Sequence, residues 1–405
     1  MAVCVWNERT NLFSGTVQKT LLKGSRMPRC TCFTAYSPDE IVEKIGTTLE
    51  FRPTLGIVFS SVALGIPEVS SAISSLDIPV LGCSTAGEIL PVSGESPIQE
   101  LSAACYFADP DPSCFSVALF ERSRESAAEL GQRIGEWGRA TFEKPAFIIA
   151  IAGLKNDGEA VIRGIEAVCP SKTPIFGGIA GDDGEFTETY VFSGESCSTN
   201  GAAVIVFDQA RVRVDGTASS GWVGVGTEMV VTSSEGNVVY TIDDRPAAQL
   251  FKDYLNVDDE ALLQVGVTFP LLLKRPDGTE VLRTFLSVDL PEGSLIYAGS
   301  VPQGSKVRFS SSFGYEIIER SIQDLKDFHA ERQTASLVLL FSCLARYHAA
   351  GSMVVDEVEA ASALWNAPLI GLFTYGEIGY NRMCTCDLYN ETLCIALIDF
   401  LQDER

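Results

Sequence analysis

Three segments of this chain repeat one strand-and-turn pattern, which restricts the folds that it can adopt. PVLGCSTAGEI begins at Pro79 and PLIGLFTYGEI begins at Pro368, and the two share proline, both glycines, threonine, glutamate and isoleucine at the same offsets. A third version, PIFGGIAGDDG, begins at Pro174, is one residue tighter and carries two aspartates instead of glutamate. Self-similarity over such long intervals, well beyond solenoid periods, indicates duplicated folding units.

The residues around these segments predict the order β-α-β-α-β-turn-β in each unit. Strands such as FIIAIA (from Phe147) and LVLLF (from Leu337) are apolar throughout, which is typical of strands covered by helices on both faces. We assign SKVRFSSS, from Ser305, as the first strand of the third unit. The predicted class is therefore α/β, with two related mixed-sheet domains.

A different pattern separates the second unit from the third. Residues 212–243 are rich in Val, Thr and Gly with polar turns, and residues 271–283 contain Pro-Asp-Gly between two apolar runs. Both patterns predict β-hairpins. We predict a flexible extension over residues 1–29, an N-terminal domain over 30–240 and a C-terminal domain over 241–405.

Composition narrows the classes of partner. The chain has 405 residues and a formal net charge of −23, so its surface repels the phosphates of nucleic acids and of anionic membranes. Neither a secretory leader nor an apolar run of about 18 residues is evident, and no membrane segment is predicted. Twelve cysteines without a small disulfide scaffold indicate a reducing cytoplasm and mostly buried thiols.

The glycine turns follow buried strands, at the strand ends where α/β proteins collect ligands. Glycine permits positive φ, threonine adds a hydroxyl donor, and glutamate can receive a ligand ammonium. The alternative is a tight turn whose side chains satisfy its own backbone. The candidate ligand residues are Thr85, Gly87, Glu88, Gly181, Asp182, Thr374, Gly376 and Glu377.

A second candidate region is FSCLARYH, which follows another apolar strand. Ser342 suits a helix N-cap, and Cys343 and Arg346 are spaced to share a helix face. A thiol at a helix start beside arginine is expected to have a lowered pKa. The guanidinium of Arg346 can bind a carboxylate through two parallel hydrogen bonds. The alternative is a buried cysteine and an arginine paired with a neighbouring acidic turn.

Catalysis has little support in the sequence. The chain has two histidines and lacks a nucleophile elbow, a phosphate loop and a paired-histidine metal motif. We therefore predict a protein that is not an enzyme, with Cys343-dependent chemistry as an alternative. The Cys-x-Cys pairs Cys30/Cys32 and Cys384/Cys386 would supply thiols for a metal or iron–sulfur cluster if the chain ends meet. The simpler alternative is strand cysteines, and no cofactor is predicted.

Together these motifs resemble the FIST family of F-box and intracellular signal transduction proteins. The N-terminal marks are GIVFSS, PVLGCSTAGEI, NDGEAVIRGI and PIFGGIAGDDGEFTETYVF, and the C-terminal marks are FSCLAR, PLIGLFTYGEIG and CDLYNETL. The resemblance implies an N-terminal and a C-terminal FIST domain in an intracellular sensory module for small ligands such as amino acids. It also implies a signalling partner such as a histidine kinase or a cyclic-dinucleotide enzyme.

The combined prediction is a cytoplasmic sensor that binds an amino acid or small carboxylate in a pocket between its two domains. The glycine turns and the Ser342–Arg346 segment would line that pocket. One branch of the family resembles haem-binding, nitric-oxide-sensing proteins, so a haem or iron–sulfur redox or gas sensor is the alternative. In that branch the resemblance implies histidine at the position of Tyr389.

Overall fold

The structure is a computed structural model that describes residues 4–6, 27–92, 94, 96–154, 157–170, 172–266, 269–275, 278–311, 314–380 and 386–401. Its helices are α1 (Pro38–Thr48), α2 (Ile66–Ser74), α3 (Ala127–Thr141), α4 (Gly158–Val168), α5 (Ala247–Leu255), α6 (Asp259–Gly266), α7 (Glu316–Glu331), α8 (Leu344–Ala350) and α9 (Val354–Trp365). Short 3₁₀ helices span Val62–Leu64, Pro112–Cys114 and Gly351–Met353.

The strands belong to four sheets. In chain order they are β1 (Cys4–Trp6), β2 (Cys30–Ala35), β3 (Leu55–Ser60), β4 (Val80–Ser84), β5 (Glu88–Ile89), β6 (Ile98–Gln99), β7 (Ala103–Ala108), β8 (Phe115–Glu121), β9 (Pro145–Ile151), β10 (Ile175–Ile179), β11 (Val191–Ser193), β12 (Ser196–Ser198), β13 (Gly201–Asp208), β14 (Val212–Ser219), β15 (Val223–Glu235), β16 (Val238–Ile242), β17 (Arg245–Pro246), β18 (Leu271–Lys274), β19 (Glu280–Arg283), β20 (Phe285–Asp289), β21 (Ser294–Tyr297), β22 (Lys306–Ser311), β23 (Leu337–Cys343), β24 (Leu369–Thr374), β25 (Glu377–Tyr380), β26 (Cys386–Tyr389) and β27 (Leu393–Phe400).

Three of the sheets repeat one topology. Their own strands stand in the orders β2-β7-β3-β4, β8-β13-β9-β10 and β14-β27-β23-β24, which is first, last, second, third in each unit. The second and third strands pair in parallel through a helical crossover, and the last strand runs antiparallel to the second. The predicted α/β class with related mixed-sheet domains is confirmed.

Each unit sends the strand after its turn into the sheet of another unit. β5, after the first turn, pairs with β24 of the third unit, and β25, after the third turn, pairs with β10 of the second. β11, after the second turn, pairs with β4 of the first unit. The exchange is cyclic, so the three turns meet at one place and none of the three sheets is built from one unit alone.

The third unit begins earlier in the chain than its sequence indicates. Its first strand is β14, whereas the SKVRFSSS strand, β22, pairs with β15 and β18 in the fourth sheet. That sheet, β19-β18-β22-β15-β16-β21-β20, is antiparallel and contains the predicted hairpin over residues 271–283 and the later part of the one predicted over 212–243. Residues 212–219 of that second range are β14 and belong to the third α/β sheet. The fourth sheet is inserted in the chain between the first strand of the third unit and the helix α7, so it interrupts the sequence of the third α/β unit.

Local signals account for the helix starts that lead to the turns. Ser126 and Glu129 form a reciprocal capping box at α3, and the Asp157 carboxylate caps α4 through the Ala160 N–H at 3.0 Å. Such caps satisfy N–H groups that a helix leaves unpaired at its first turn. Among the described helices, none has both the length and the apolar character needed to cross a membrane.

Candidate functional site

The three turns form one hydrogen-bonded structure, here called the central ring, made of Ser84–Glu88, Ile179–Asp183 and Phe373–Glu377. The first turn bonds to the third through Ala86 N to Phe373 O at 3.0 Å, and Phe373 N returns to Gly87 O at 2.8 Å. Analogous backbone bonds join the third turn to the second and the second turn to the first, including Tyr375 N to Ile179 O and Gly181 N to Ser84 O. The ring therefore joins residues almost 290 positions apart.

Two ring glycines have roles that other residues could not fill. Gly87 has φ of 134°, a conformation that L side chains rarely adopt. A Cβ on Gly181 would lie 2.5 Å from the Ala86 backbone nitrogen, so this contact needs a glycine. These glycines allow the turns to approach one another closely: the Gly181 N–H donates to Ser84 O of the first turn, and Gly87 O accepts from Phe373 N of the third.

The first turn builds an enclosed site, the N-terminal carboxyl site, from Ser61, Thr85, Glu88, Ser102 and Asp183. Thr85 donates to one Glu88 oxygen, and the Ser102 hydroxyl donates to the other at 2.7 Å. Burial raises the pKa of the Glu88 carboxyl to about 7, although these donors oppose the shift. Asp183 lies nearby and accepts from the Ser61 hydroxyl at 2.7 Å. Every carboxyl oxygen of Glu88 is engaged.

Asp182 organises an exposed loop over the ring, here called the ring loop, residues 182–188. Its carboxylate accepts from the backbone N–H groups of Phe186 at 2.9 Å, Thr187 at 2.6 Å and Glu188 at 2.9 Å. Tyr375 of the third turn also donates to this carboxylate, and its ring stacks on Phe186 with centroids 4.4 Å apart. Asp182 is thus a loop-forming residue whose oxygens are fully occupied.

The third turn builds the C-terminal carboxyl site, made of Cys343, Thr374, Glu377, Glu391 and Thr392. Thr374 donates to Glu377 Oε1 at 2.6 Å. The Cys343 thiol and the Thr392 N–H approach the same carboxyl group, but Oε2 has no hydrogen bond of ordinary geometry among the described residues. Burial raises the pKa of Glu377 well above its usual value, and the neighbouring Glu391 raises it further.

Glu391 is a second buried carboxyl in the same place. It precedes β27 with φ of 54°, and its side chain is fully buried. Thr284 donates to its Oε1 at 2.9 Å, while Oε2 is unpaired among the described residues. Burial raises the pKa of the Glu391 carboxyl to about 8, with Thr284 and Arg346 opposing the shift. Two carboxyl groups therefore share a site that water does not reach.

The start of α8 differs from its sequence prediction. Ser342 lies within β23, and Cys343 is the N-cap residue, although its side chain makes no capping bond. The prediction of a lowered thiol pKa is wrong. Burial, together with Glu377 and Glu391, raises the pKa of the Cys343 thiol well above its usual value. A thiol in apolar surroundings beside carboxyls stays protonated, because the thiolate would be neither solvated nor paired.

Arg346 is fully buried, and its donors are used within the protein. The guanidinium forms a two-point ion pair with the buried Glu357, through Nε at 3.1 Å and through Nη2. It also donates to the Ser321 hydroxyl at 3.0 Å and to the Ser220, Ile317 and Glu391 carbonyls. These contacts favour the alternative of an arginine paired with an acid, but the partner is Glu357 of the helix α9 and not an acidic turn.

Several unpaired polar atoms cluster around the C-terminal carboxyl site. Trp222 lies over Arg346, with the guanidinium carbon 5.5 Å from its ring centre. Buried polar groups in proteins almost always have partners, so each exception needs an explanation. The atoms here that lack a partner among the described residues are Ser342 Oγ, Glu377 Oε2, Glu391 Oε2 and Trp222 Nε1.

Comparison with protein families identifies the chain. The model of the FIST N domain matches residues 54–245, and the model of the FIST C domain matches residues 247–380. The chain belongs to the FIST family. FIST domains are associated with sensory signal transduction. A search of curated proteins found no match.

The central ring joins the two FIST domains. The first two turns lie within the FIST N match and the third lies within the FIST C match, so β5 and β25 are exchanged between the domains. Glu391 lies just beyond the FIST C match, on the segment that leads into β27. The C-terminal carboxyl site therefore sits where a FIST C turn packs beside strands exchanged with FIST N.

A buried ion network also joins the domains, and sequence reasoning did not find it. Glu159 of FIST N pairs with Arg275 at 2.9 Å and with Arg283 at 3.0 Å, and both arginines lie within the FIST C match. Arg275 also bonds to Asp387 at 2.8 Å. Burial raises the pKa of Glu159, but the two arginines outweigh burial and hold it below its usual value. Glu159 and Asp387 lie in the motifs NDGEAVIRGI and CDLYNETL, which carry the family resemblance.

The predicted thiol ligands occupy separate places. Cys30 and Cys32 are buried on β2 in the largest hydrophobic cluster, whereas Cys386 is buried on β26 in the cluster beneath α3 and α4. Cys384 lies outside the described residues. Within the described ranges, no group of three or more histidine, cysteine or acidic side chains has the arrangement of a metal site.

Two surface cavities lie away from the central ring. One, of about 270 Å³, is on the inserted sheet and is lined by Lys274, Lys306, Arg308 and the acidic Glu228 and Glu280. The other, of about 620 Å³, lies beside the end of α5 and has an acidic rim. Ion pairs such as Lys306 with Glu228 at 2.6 Å occupy the charges of the first cavity. Neither cavity includes a predicted ligand residue.

Proposed function

We propose that this FIST protein is a sensory module that binds a small ligand at the C-terminal carboxyl site and relays binding to a partner without chemical turnover. The observation that carries the proposal is the pair of unpaired, fully buried carboxyl oxygens, Glu377 Oε2 and Glu391 Oε2. Leaving buried polar atoms without partners costs about 1–3 kcal/mol each, and a ligand that supplies partners recovers part of that cost. The site therefore favours an occupant.

The ring loop supports the relay. Tyr375 and Glu377 belong to the same turn, so a ligand that moves Glu377 also moves the residue that holds the ring loop. The loop is exposed from Glu185 to Glu188, where a partner can contact it. A ligand at Glu377 would thus be reported at the surface of FIST N. A histidine kinase or a cyclic-dinucleotide enzyme is the kind of partner that we propose.

The chemistry of the site supports binding over catalysis. The Cys343 thiol is buried and its pKa is raised, which opposes thiolate chemistry at neutral pH. His348 lies exposed on α8, and His329 packs against Trp365 on the other side of α9. We retain amino acids and small carboxylates as the proposed ligand class. Because Arg346 is occupied by Glu357, a carboxylate would have to displace an internal ion pair there.

A thermal-shift screen of the full chain tests the proposal. The panel contains amino acids, small carboxylates and haemin, each with the wild-type protein and with Glu377→Gln. A ligand at 100 times its Kd stabilises a protein by about 2.7 kcal/mol, which is easily measured as a rise in Tm. The matched control is Glu88→Gln, which changes the equivalent turn of FIST N. We expect a hit that Glu377→Gln weakens and Glu88→Gln does not.

Two results would count against the proposal. If no member of the panel raises the Tm of the wild-type protein, the site is a structural polar cluster. If haemin binds and gives a visible absorption band that Glu377→Gln does not change, the gas-sensor alternative replaces this one.

A further inference from the structure

We propose that the C-terminal carboxyl site recognises a cation, the primary ammonium group of a small amine, held between Glu377 and Glu391. The inference rests on the proposed function, because it names the chemical group that the sensor binds. The sequence already suggested Glu377 as a receiver of a ligand ammonium; the structure adds Glu391 as the second carboxyl and removes Arg346, which is paired with Glu357, as the partner of a ligand carboxylate.

The hydrogen-bond donors and acceptors of the site indicate which chemical group of a ligand would bind there. Each carboxyl has one oxygen engaged by a hydroxyl, Thr374 with Glu377 and Thr284 with Glu391. The other oxygen of each has no hydrogen bond of ordinary geometry among the described residues, although the Cys343 thiol and the Thr392 N–H approach the Glu377 carboxyl. The unpaired oxygens are acceptors when the carboxyl groups are ionised. An ammonium group carries three donors and no acceptor, so one ammonium can serve both oxygens. A ligand carboxylate offers acceptors only and would meet like charge.

The neighbouring charged and titratable groups leave this preference intact. Cys343 and Cys394 face Glu377, and burial raises the pKa of both thiols well above the usual value, so they contribute no charge at neutral pH. The positive charge of Arg346 acts on Glu391, but Arg346 is paired with Glu357. Among the residues that the structure describes, the site therefore has no cation that is available to both carboxyl groups.

Ammonium binding at this site must release protons. Burial raises the pKa of the Glu391 carboxyl to about 8 and that of the Glu377 carboxyl well above its usual value, so without a ligand Glu391 is largely protonated at pH 7. An adjacent cation favours the ionised form. Binding therefore expels at least part of one proton, and the affinity increases as the pH rises toward the pKa of the unliganded carboxyls.

The equivalent turn of FIST N provides an internal comparison. Glu88 has the same place in its turn, and a second carboxyl, Asp183, lies beside it. Both Glu88 oxygens accept hydrogen bonds, and Asp183 is held by Ser61. This site is saturated by its own side chains. Glu88→Gln is therefore the matched control, since it removes a buried carboxyl from the same type of turn without touching the proposed ammonium site.

The test uses three matched series of probes with the full chain. The series are alanine, ethylamine and propionate; leucine, 3-methylbutylamine and 4-methylpentanoate; and phenylalanine, 2-phenylethylamine and 3-phenylpropanoate. We expect at least one amine or amino acid to raise the Tm of wild-type protein, while the matching acid without nitrogen does not. Glu377→Gln and Glu391→Gln should each weaken that binding at least about tenfold, and Glu88→Gln should leave it within about twofold. Glu391→Gln keeps the test available if Glu377→Gln does not fold.

Calorimetry adds a readout that a merely structural role would not affect. Titration of the best amine in phosphate and in Tris should give different apparent enthalpies, because released protons are taken up by the buffer. Release of one proton raises the affinity by up to about tenfold per pH unit between pH 6 and 7.5.

The outcomes separate this inference from the proposed function. If an acid without nitrogen binds and Glu377→Gln abolishes that binding, the cation inference is overturned and the sensor proposal stands. If an amine binds without proton release and is unaffected by both glutamine variants, it binds elsewhere, and the cation inference is also overturned. If no probe binds the wild-type protein, both proposals fail.

Discussion

The hydroxyl of Tyr375 donates a hydrogen bond to the carboxylate of Asp182, and so fastens a FIST C turn to the ring loop of FIST N. The same hydroxyl accepts from the backbone N–H groups of Asp182 at 3.2 Å and Gly184 at 3.1 Å. One phenol oxygen thus serves three bonds of the ring loop. The stability of the loop therefore depends on a residue that comes from the other domain.

Replacement of Tyr375 by phenylalanine should loosen the ring loop. The aromatic ring remains stacked on Phe186, but the three bonds to the hydroxyl are lost, which we expect to lower the free energy of unfolding by about 1–3 kcal/mol. Hydrogen exchange at residues 183–188 should become faster, as measured by mass spectrometry. Tyr36→Phe is the control, because its hydroxyl is at the surface, 3.4 Å from Gln99. Unchanged exchange in the Tyr375 variant would show that the loop is held by its own backbone bonds.

Replacement of Arg346 by alanine should destabilise the protein strongly. It leaves Glu357 buried without its partner, which costs about 3–5 kcal/mol in comparable cases. This is the opposite of what a ligand-contacting arginine would give. Denaturant unfolding compares it with Arg320→Ala, whose surface pair with Glu316 at 3.4 Å contributes less than about 1 kcal/mol. A stable Arg346→Ala protein that fails to bind acids would restore the role predicted from sequence.

Glu88 should make the protein less stable as the pH rises from 4.5 to 7. Its folded pKa of about 7 lies above the ordinary value of 4.5, so in this window the folded state retains a proton that the unfolded chain has lost. The contribution of Glu88 is complete below pH 4.5 and falls by about 1.4 kcal/mol per pH unit until the folded pKa is reached.

Urea unfolding of Glu88→Gln at pH 5, 6 and 7 measures this contribution. Because glutamine does not ionise, the decline in the free energy of unfolding should be shallower than in the wild type by about 1 kcal/mol per pH unit. Glu136→Gln, on the exposed face of α3, serves as the control. Equal slopes for wild type and Glu88→Gln would mean that Glu88 is solvated in the folded protein.

Iodoacetamide should modify Cys343 more slowly than the half-buried thiols. Cys169 and Cys197 are partly exposed, whereas Cys343 is buried and its pKa is raised well above the usual value. Peptide mapping after brief labelling of native protein at pH 7.5 gives the order in which the cysteines react. Labelling in urea shows that each thiol is reactive when exposed. Fastest modification at Cys343 would support the thiol-enzyme alternative.

Much of the fold follows from local patterns. Apolar strands, amphipathic helices and three glycine turns predict the β-α-β-α-β-turn-β units, because such signals span only a few residues. The first strand of the third unit was misassigned because β14 and β22 are both partly buried strands, and β22 is the one that directly precedes α7 in the chain. Only pairing with β27 or with β15 and β18 distinguishes them, and such pairs join residues far apart in the chain.

The candidate site, like the fold, was predictable from the sequence only in part. The repeated turns single out Glu88 and Glu377 from sequence, and the strand before α8 singles out Cys343 and Arg346. The raised pKa of Cys343 could not be predicted, since burial, Glu377 and Glu391 outweigh the backbone donors of Glu391 and Arg346. Nor could the occupation of Arg346, because Glu357 is an ordinary helical glutamate until α9 packs on α8.

The local sequence of this protein determines its units, its turns and its family. The tertiary structure decides which unit each strand joins after its turn, which carboxyl groups meet and which of them keep an unpaired oxygen. The physical reason is that strand exchange and burial depend on contacts between distant segments, and a charge pattern does not reveal whether water reaches it. Glu88 and Glu377 occupy the same place in the same repeat, yet Ser102 saturates one and the other is left with a free acceptor among the described residues.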